Sequence, residues 1–343
     1  MNDHAPLGAF RAPMDTRIRS PDGRSRELVR LAVLAANSHN TQPWRFELSP
    51  DRIVLHADHR RRCLAVDPDD HHLYVSLGCA TENIVIAATG FGLVAVPRIT
   101  EEGTVIEIDL KTGTADPSPL IAAIPLRQST RNRYDARPLT DAEKDAVIQA
   151  ATASRVTVCL VDAPEEIASL CEAVVAGNAD QMADPAFVSE LMHWIRFSPH
   201  EARTRRDGLF GRCLGNPGLP EWMGRLVFPL VYRVRPESAK IRGDIASASA
   251  LMIFVSHADT PENWIETGRA FQRFALEATS LGLVMAHINQ AVEVPVQRKR
   301  VARLITIPEG RPSLLVRIGH GERLPYAYRR DVDDVITTAE QWS

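Results

Sequence analysis

Arg127-Gln128-Ser129-Thr130-Arg131 places two guanidinium groups and a hydroxyl at alternate positions. In an extended segment, residues 127, 129 and 131 point to one side. Such a face suits a phosphomonoester or the anionic edge of a ring; a solvated Arg-rich linker is the other reading of the same residues. Arg329-Arg330 carries the same ambiguity. The most specific stretch is Asn37-Ser38-His39-Asn40-Thr41-Gln42-Pro43-Trp44. A packed row of amides and hydroxyls on a rigid turn offers donors and acceptors to a flat heteroaromatic ligand. A helix stop before a strand explains Asn37 and Pro43, but not the whole composition.

Other motifs carry less. Gly90-Phe-Gly92-Leu-Val-Ala95 matches G-x-G-x-x-A, but it follows a helix and precedes a strand, the reverse of the dinucleotide-binding context, so it reads as a helix cap. There is no Walker A sequence, nucleophile-elbow serine or His-Glu-x-x-His. His56, His59, His71 and His72 beside Asp67, Asp69 and Asp70 imitate a metal cluster, but their spacing straddles a strand and a turn and reads as a solvated polar loop; no metal is expected. The five cysteines are odd in number and scattered, with no Cys-x-x-Cys, and read as reduced, mostly buried thiols.

The chain has 343 residues, 45% hydrophobic and 24% charged, with a net charge of −3. That balance excludes a disordered or low-complexity protein and argues against general polyanion binding, so no nucleic-acid partner is expected. No apolar run suggests a membrane span, and Met1–Ser20 lacks a signal-peptide core. A cytoplasmic location is the expectation.

The elements that must position these residues follow from periodicity. Residues 1–20 read as a loose arm. A helix starts near Asp22 with Leu28, Leu31, Ala32 and Ala35 on one face. Trp44–Leu48 and Ile53–Leu55 form a hairpin around Ser49-Pro50-Asp51. A long apolar helix over His72–Gly90 leads to strands near 93–99 and 104–110, and Lys111–Pro119 reads as a linker. Helices are predicted over 118–125, 140–152, 164–178, 184–197, 262–281 and 297–305, and strands over 156–161, 250–256 and 313–318. Residues 198–240 show weak periodicity and many Gly and Pro, the mark of a functional or mobile segment. Gly78–Val94 aligns without gaps on Gly268–Val284, with seven of 17 positions identical. Each copy is a helix closed by glycine and followed by a strand. The small residues allow the two helices to pack closely about a pseudo-two-fold axis.

Asn40-x-Gln42-Pro43-Trp44 resembles the Asn-x-Gln-Pro-Trp signature of the nitroreductase-like flavoprotein family. Arg127-x-Ser129-x-Arg131 with Tyr134 resembles that family's Arg-x-Ser-x-Arg/Lys segment. Gly282-Leu283 with His287–Gln290 is similar to its helix–Gly-Leu–loop element, and Leu314–Gly319 with Arg329-Arg330 to its last strand and basic tail. The two-half layout is closest to the Acg-like branch, in which one polypeptide replaces a homodimer.

The resemblance implies an α+β nitroreductase-like fold: two tandem halves forming an internal pseudo-dimer, with mostly antiparallel sheets wrapped by helices. The halves would be 21–115 and 120–335, with 198–240 a candidate lid insertion. In the family one subunit supplies the Asn-x-Gln-Pro-Trp turn and the other supplies the remaining motifs. Here the first half has only the turn and the second only the rest, so the resemblance implies one FMN per chain. A single chain then suffices for the site, and larger assemblies stay open.

Carried over by match, Arg127, Gln128, Ser129 and Arg131 would hold the phosphate, ribityl chain and pyrimidine edge. Ser38, Asn40 and Gln42 would contact the flavin from the other half. Backbone around Ile288, Asn289 and Gln290 would lie beside the ring, and Arg329 and Arg330 would complete the phosphate site. The sequence departs from the family in the loop after Gly-Leu, where His287, Asn289 and Gln290 stand in place of an acidic residue. The implied activity is hydride transfer from NAD(P)H through FMN to an electron-poor nitroarene or quinone, with no side chain acting as a catalytic acid or base. A flavin-storing protein under a closed lid is the alternative, and a cofactor-free relic the third.

Overall fold

The computed structural model describes residues 10–100, 104–113, 116–216, 218–305 and 309–337. Helix α1 (Pro21–Ala32) is opened by Ser20, whose hydroxyl accepts from the Gly23 N–H. Strands β1 (Trp44–Ser49) and β2 (Arg52–Ala57) pair antiparallel, with Phe46 opposite Leu55 on the buried face. Helix α2 (His71–Ala88) follows, and Gly92, at φ +67°, closes its C-terminal end where a side chain would be strained. Strands β3 (Leu93–Ile99) and β4 (Val105–Thr112) complete an antiparallel sheet of order β1-β2-β4-β3.

The second half begins with a 3-10 turn at Pro119–Leu126 and the extended 127–131 segment. Helix α3 (Asp141–Ala151) carries a capping box between Thr140 and Glu143. After β5 (Val156–Val161) come α4 (Pro164–Ala183) and α5 (Pro185–Trp194). A short parallel pair, β6 (Ile195–Arg196) and β7 (Leu209–Phe210), flanks α6 (Pro199–Arg205). Then come α7 (Glu221–Val231), α8 (Val234–Ala246), β8 (Ala250–Ser256) and α9 (Pro261–Ser280). The chain continues through β9 (Val284–His287), α10 (Gln290–Glu293), α11 (Pro295–Leu304), β10 (Arg311–Gly319) and α12 (Val332–Val335). The second sheet has order β5-β8-β10-β9, which repeats the first sheet strand for strand. Strands β8 and β10 are buried along their whole length: β8 is apolar from Ala250 to Val255, while β10 buries Arg311, Ser313 and Arg317 among its apolar residues.

The halves meet at α2 and α9. A Cβ on Gly78 would lie 2.0 Å from the Ile265 carbonyl oxygen, and one on Gly268 would lie 2.0 Å from the Val75 carbonyl oxygen. Each glycine thus faces the residue three positions before the other, which is the self-complementary contact of a two-fold interface. Arg269 and Arg273 of α9 both reach Glu82 of α2, and the Gln272 amide donates to Asn83 Oδ1 at 2.7 Å. Trp44, Phe46 and Leu77 share one core with Phe254, Phe271 and Phe274, so the hydrophobic interior runs across both halves. Helix α2 is long and apolar enough to span a membrane by composition, but 83% of that window is buried inside the protein.

Three expectations change. Residues 10–20 are not a loose arm: Phe10 packs against the core, and the Arg30 Nη1 donates to its carbonyl at 2.8 Å; residues 1–9 lie outside the described residues. The 198–240 segment is largely helical, as α6, α7 and the start of α8. Most of its Gly and Pro residues sit between these helices, but Gly224 and Pro229 lie inside α7 and Pro236 inside α8, and such residues mask a helix in the sequence. Strand β4 continues through Thr112 into the expected linker, of which Thr114 and Ala115 lie outside the described residues.

Candidate functional site

The turn after α1 has an unusual backbone. His39, Asn40 and Gln42 adopt φ of 46°, 56° and 54°, a left-handed conformation that non-glycine residues hold only under outside restraint. The restraint is visible. Asn37 Oδ1 accepts from the Gln42 N–H at 3.0 Å. Asn40 Nδ2 donates to the Gly208 carbonyl at 3.0 Å and to the Tyr328 carbonyl at 3.1 Å, while its Oδ1 accepts from the Arg329 guanidinium. Gln42 Nε2 donates to the Arg206 carbonyl at 2.8 Å, and its Oε1 accepts from the Arg330 N–H at 2.8 Å. Two amides therefore lace the first half to the 206–208 segment and to the C-terminal tail.

The 127–131 segment runs beside β9, with the Thr130 N–H donating to the Met285 carbonyl at 2.8 Å. Arg127 is buried and donates to the Leu34 carbonyl at 2.7 Å, leaving Nε without a partner. Gln128 donates to the Leu324 carbonyl at 2.9 Å, and its Oε1 has no partner. Arg329 Nε is likewise buried and unpartnered. Arg11, from the supposed arm, donates to the Pro125 carbonyl at 2.6 Å and stacks 3.9 Å over the Tyr326 ring.

Two cavities meet here. The larger, about 290 Å³, is lined by Ser38, His39, Arg131, His287, Asn289 and Gln290 among others. The smaller, about 80 Å³, is lined by Arg11, Asn40, Arg127, Gln128, Ser129 and Arg329. Arg131 and His287 line both. Among the described residues no carboxylate pairs with Arg11, Arg127, Arg131 or Arg329. Burial and mutual repulsion push Arg11 down to about 9, lower Arg127 to about 10 chiefly through burial, and drive Arg329 down as well. Buried cations without counter-charge are costly unless an anion joins them. The unpartnered Nε atoms of Arg127 and Arg329 fit a phosphate, and the wider cavity, with Gln290 Oε1 buried and unsatisfied in its wall, fits a flat ring system.

Nine of the twelve candidate residues therefore line one cavity or both; Gln42, Ile288 and Arg330 line neither. Gln42 spends its amide on holding Arg206 and Arg330. The Ile288 side chain sits in the apolar cluster with Ala291 and Val292, and its N–H goes to the Leu315 carbonyl at 2.9 Å. Arg330 turns outward to the Asp334 carbonyl at 2.6 Å. Arg11, His39, His72, Gln181 and Glu293 are lining residues that the sequence reading did not select. Of these, His39 stood in the amide-rich turn and His72 in the His/Asp cluster, while Arg11, Gln181 and Glu293 had no local signal.

The Asp67–His72 stretch is not a solvated loop. Asp67, His71 and His72 are buried, with potential ligand atoms within 4.8 Å of one another. Both Asp67 oxygens accept helix N-terminal N–H groups, from His72 and Leu73 at 3.0 Å each, and burial raises its carboxyl to about 7. The positive end of α2, with Arg298 and Arg311 nearby, opposes a cation at this place.

Two expectations follow from the geometry. Asn40→Ala leaves the Arg329 guanidinium only its long contacts to the Ala35 and Tyr328 carbonyls and should destabilise the protein by about 2–3 kcal/mol, read by denaturant unfolding, with increased proteolysis near Gly208. Burial lowers the His39 pKa to about 4 and the His287 pKa to about 3, against an ordinary 6.5. Both rings are neutral when folded but gain protons in the unfolded chain below about 6.5. Their contribution to stability is complete above that pH and is lost as pH falls toward 4. The histidines' share is read by difference: from pH 7 down to 4 the native chain should lose melting temperature relative to a variant with His39→Phe and His287→Phe, the raised Asp67 and Glu293 carboxyls, which act in the opposite sense, being common to both.

A family model described as the Nitroreductase family matches residues 124–320. Two Mycobacterium tuberculosis proteins named "Putative NAD(P)H nitroreductase" are similar along nearly the whole chain. Rv3131 is 27% identical, covering 96% of this chain and 95% of its own. The acg protein is 24% identical, covering 90% and 93%. Among solved structures, a nitroreductase with bound FMN from Desulfitobacterium hafniense aligns at 14% identity and TM-score 0.41, covering 64% of this chain and 98% of its own. An NADPH:FMN oxidoreductase from Vibrio harveyi complexed with NAD+ aligns at 16% identity and TM-score 0.38, covering 62% and 73%.

Proposed function

The chain belongs to the nitroreductase family, and from that premise we propose that it is an FMN-dependent oxidoreductase passing hydride from NAD(P)H to an electron-poor acceptor, a nitroarene or a quinone. The observation that carries the reading is the buried arginine cluster without carboxylates, opening onto a ring-sized cavity. Bound there, FMN would supply the hydride-transfer chemistry between donor and acceptor. Arg11, Arg127 and Arg329 would hold its phosphate, Ser129 and Gln128 its ribityl chain, and Arg131 its pyrimidine edge. A guanidinium there favours negative charge on the ring and so tunes its potential. Ser38 and Asn40 face the site from the first half, and Asn289 and Gln290, in the wall of the larger cavity, would flank the ring. One chain supplies both sides, so one FMN binds per chain.

A second reading, a flavin store with little turnover, draws on Phe228 and Tyr232, which stack at 4.7 Å and line the larger cavity from the 198–240 insertion. If they shield the flavin, Phe228→Ala with Tyr232→Ala should speed reduction by NAD(P)H severalfold in stopped flow. An unchanged rate removes the shielding role.

A further inference from the structure

Two carboxyls line the larger cavity, Glu237 and Glu293, and of these Glu293 is the one whose side chain is held by a hydrogen bond inside the wall. Glu293, on α10, lines the larger cavity with a side chain only 14% exposed. Its Oε2 accepts from Gln181 Nε2 at 2.6 Å, and its Oε1 lies 3.4 Å from His72 Nε2. Among the described residues no arginine or lysine pairs with it. A Cβ on Gly177 of α4 would meet the Gln290 carbonyl oxygen at 2.4 Å, so α4 and α10 pack closely beside this contact.

We propose that Glu293 is the proton donor to the acceptor, whose reducible group is therefore one with an oxygen that ends the reaction protonated, such as a quinone carbonyl. This rests on the oxidoreductase reading above. The balance is closed for a quinone. Hydride brings two electrons and one proton to one oxygen, the O–H bond of Glu293 breaks, and the other oxygen takes that proton. Hydroquinone leaves, and the carboxylate regains a proton through His72 or from water admitted on product release. Burial is the dominant influence on Glu293 and raises its pKa, as does Asp67 from the start of α2; His72 and the hydrogen bond donated by Gln181 act in the opposite sense, although burial also disfavours the charged form of His72. Cys63 and Tyr232 also face it, and both hold their protons.

Glu293→Gln keeps the shape and the Gln181 contact but removes the proton. The infrared carbonyl band of a protonated carboxyl, recorded on flavin-free protein at pH 7, should be present in the native chain and lost in E293Q. Single-turnover reoxidation of the reduced, FMN-loaded enzyme by benzoquinone should slow about 10²-fold in E293Q. The native rate should fall as pH rises, whereas the E293Q rate should stay flat. Should E293Q fail to fold, Glu293→Asp retracts the proton and should slow reoxidation at least tenfold. Reoxidation within twofold of native at every pH, or an unchanged infrared band, overturns the proposal. Reducing the enzyme with dithionite separates the two claims: if NAD(P)H fails to reduce the flavin, the oxidoreductase reading fails, while the reoxidation and infrared arms still decide Glu293.

Discussion

Replacing Arg127 and Arg131 together by alanine is expected to yield a protein that purifies without flavin. Each guanidinium supplies charge-assisted hydrogen bonds worth about 1.5–3 kcal/mol, so losing both weakens FMN binding about 10²–10⁴-fold. Arg131 is the cleaner probe, because it makes no hydrogen bond to another described residue and lines both cavities. Arg127 also holds the Leu34 carbonyl, and its loss should cost about 1–3 kcal/mol of stability as well. Titrating FMN into the flavin-free variants, with unfolding curves alongside, separates the two effects. Full flavin content in the double variant would show that the ligand is held elsewhere.

The second large effect lies 2.0 Å from a carbonyl oxygen. Gly78→Ala and Gly268→Ala each put a methyl into the backbone of the opposite helix, where no rotamer can relieve it. Helices α2 and α9 must separate, and because the core is continuous across both halves the loss should reach about 3 kcal/mol or more for each. The effect should appear as a lower urea midpoint and as loss of flavin, since the site draws on both halves. A serine at Gly282, where φ is +77° but nothing lies within 4 Å, should cost less than either.

These two predictions also show what was legible in the chain. The alignment of Gly78–Val94 with Gly268–Val284 pointed to two equivalent helices because both copies need small residues at helical spacing. The structure adds the reason, a carbonyl seated on each glycine. The Asn-x-Gln-Pro-Trp turn and the Arg-x-Ser-x-Arg segment were legible because few folding tasks need such residue rows. What was not legible depends on distance in the chain. Arg11 enters the cluster from 116 positions before Arg127, and nothing local marks one arginine among many. Gln42 and Arg330 were selected by type, yet they serve each other: the amide that looked ready for a ligand is filled by a backbone 288 residues away. Asp67 and His72 looked solvated because charge in sequence does not reveal burial; in the fold they cap and line a helix start.

The most direct test of the account is an anaerobic visible spectrum of the purified protein, before and after adding NADPH and then NADH. The account predicts a flavin band, one FMN per chain, that bleaches within seconds of adding a nicotinamide donor. A band that persists until dithionite is added would contradict turnover and favour storage, and no band even after FMN is supplied would contradict the site itself.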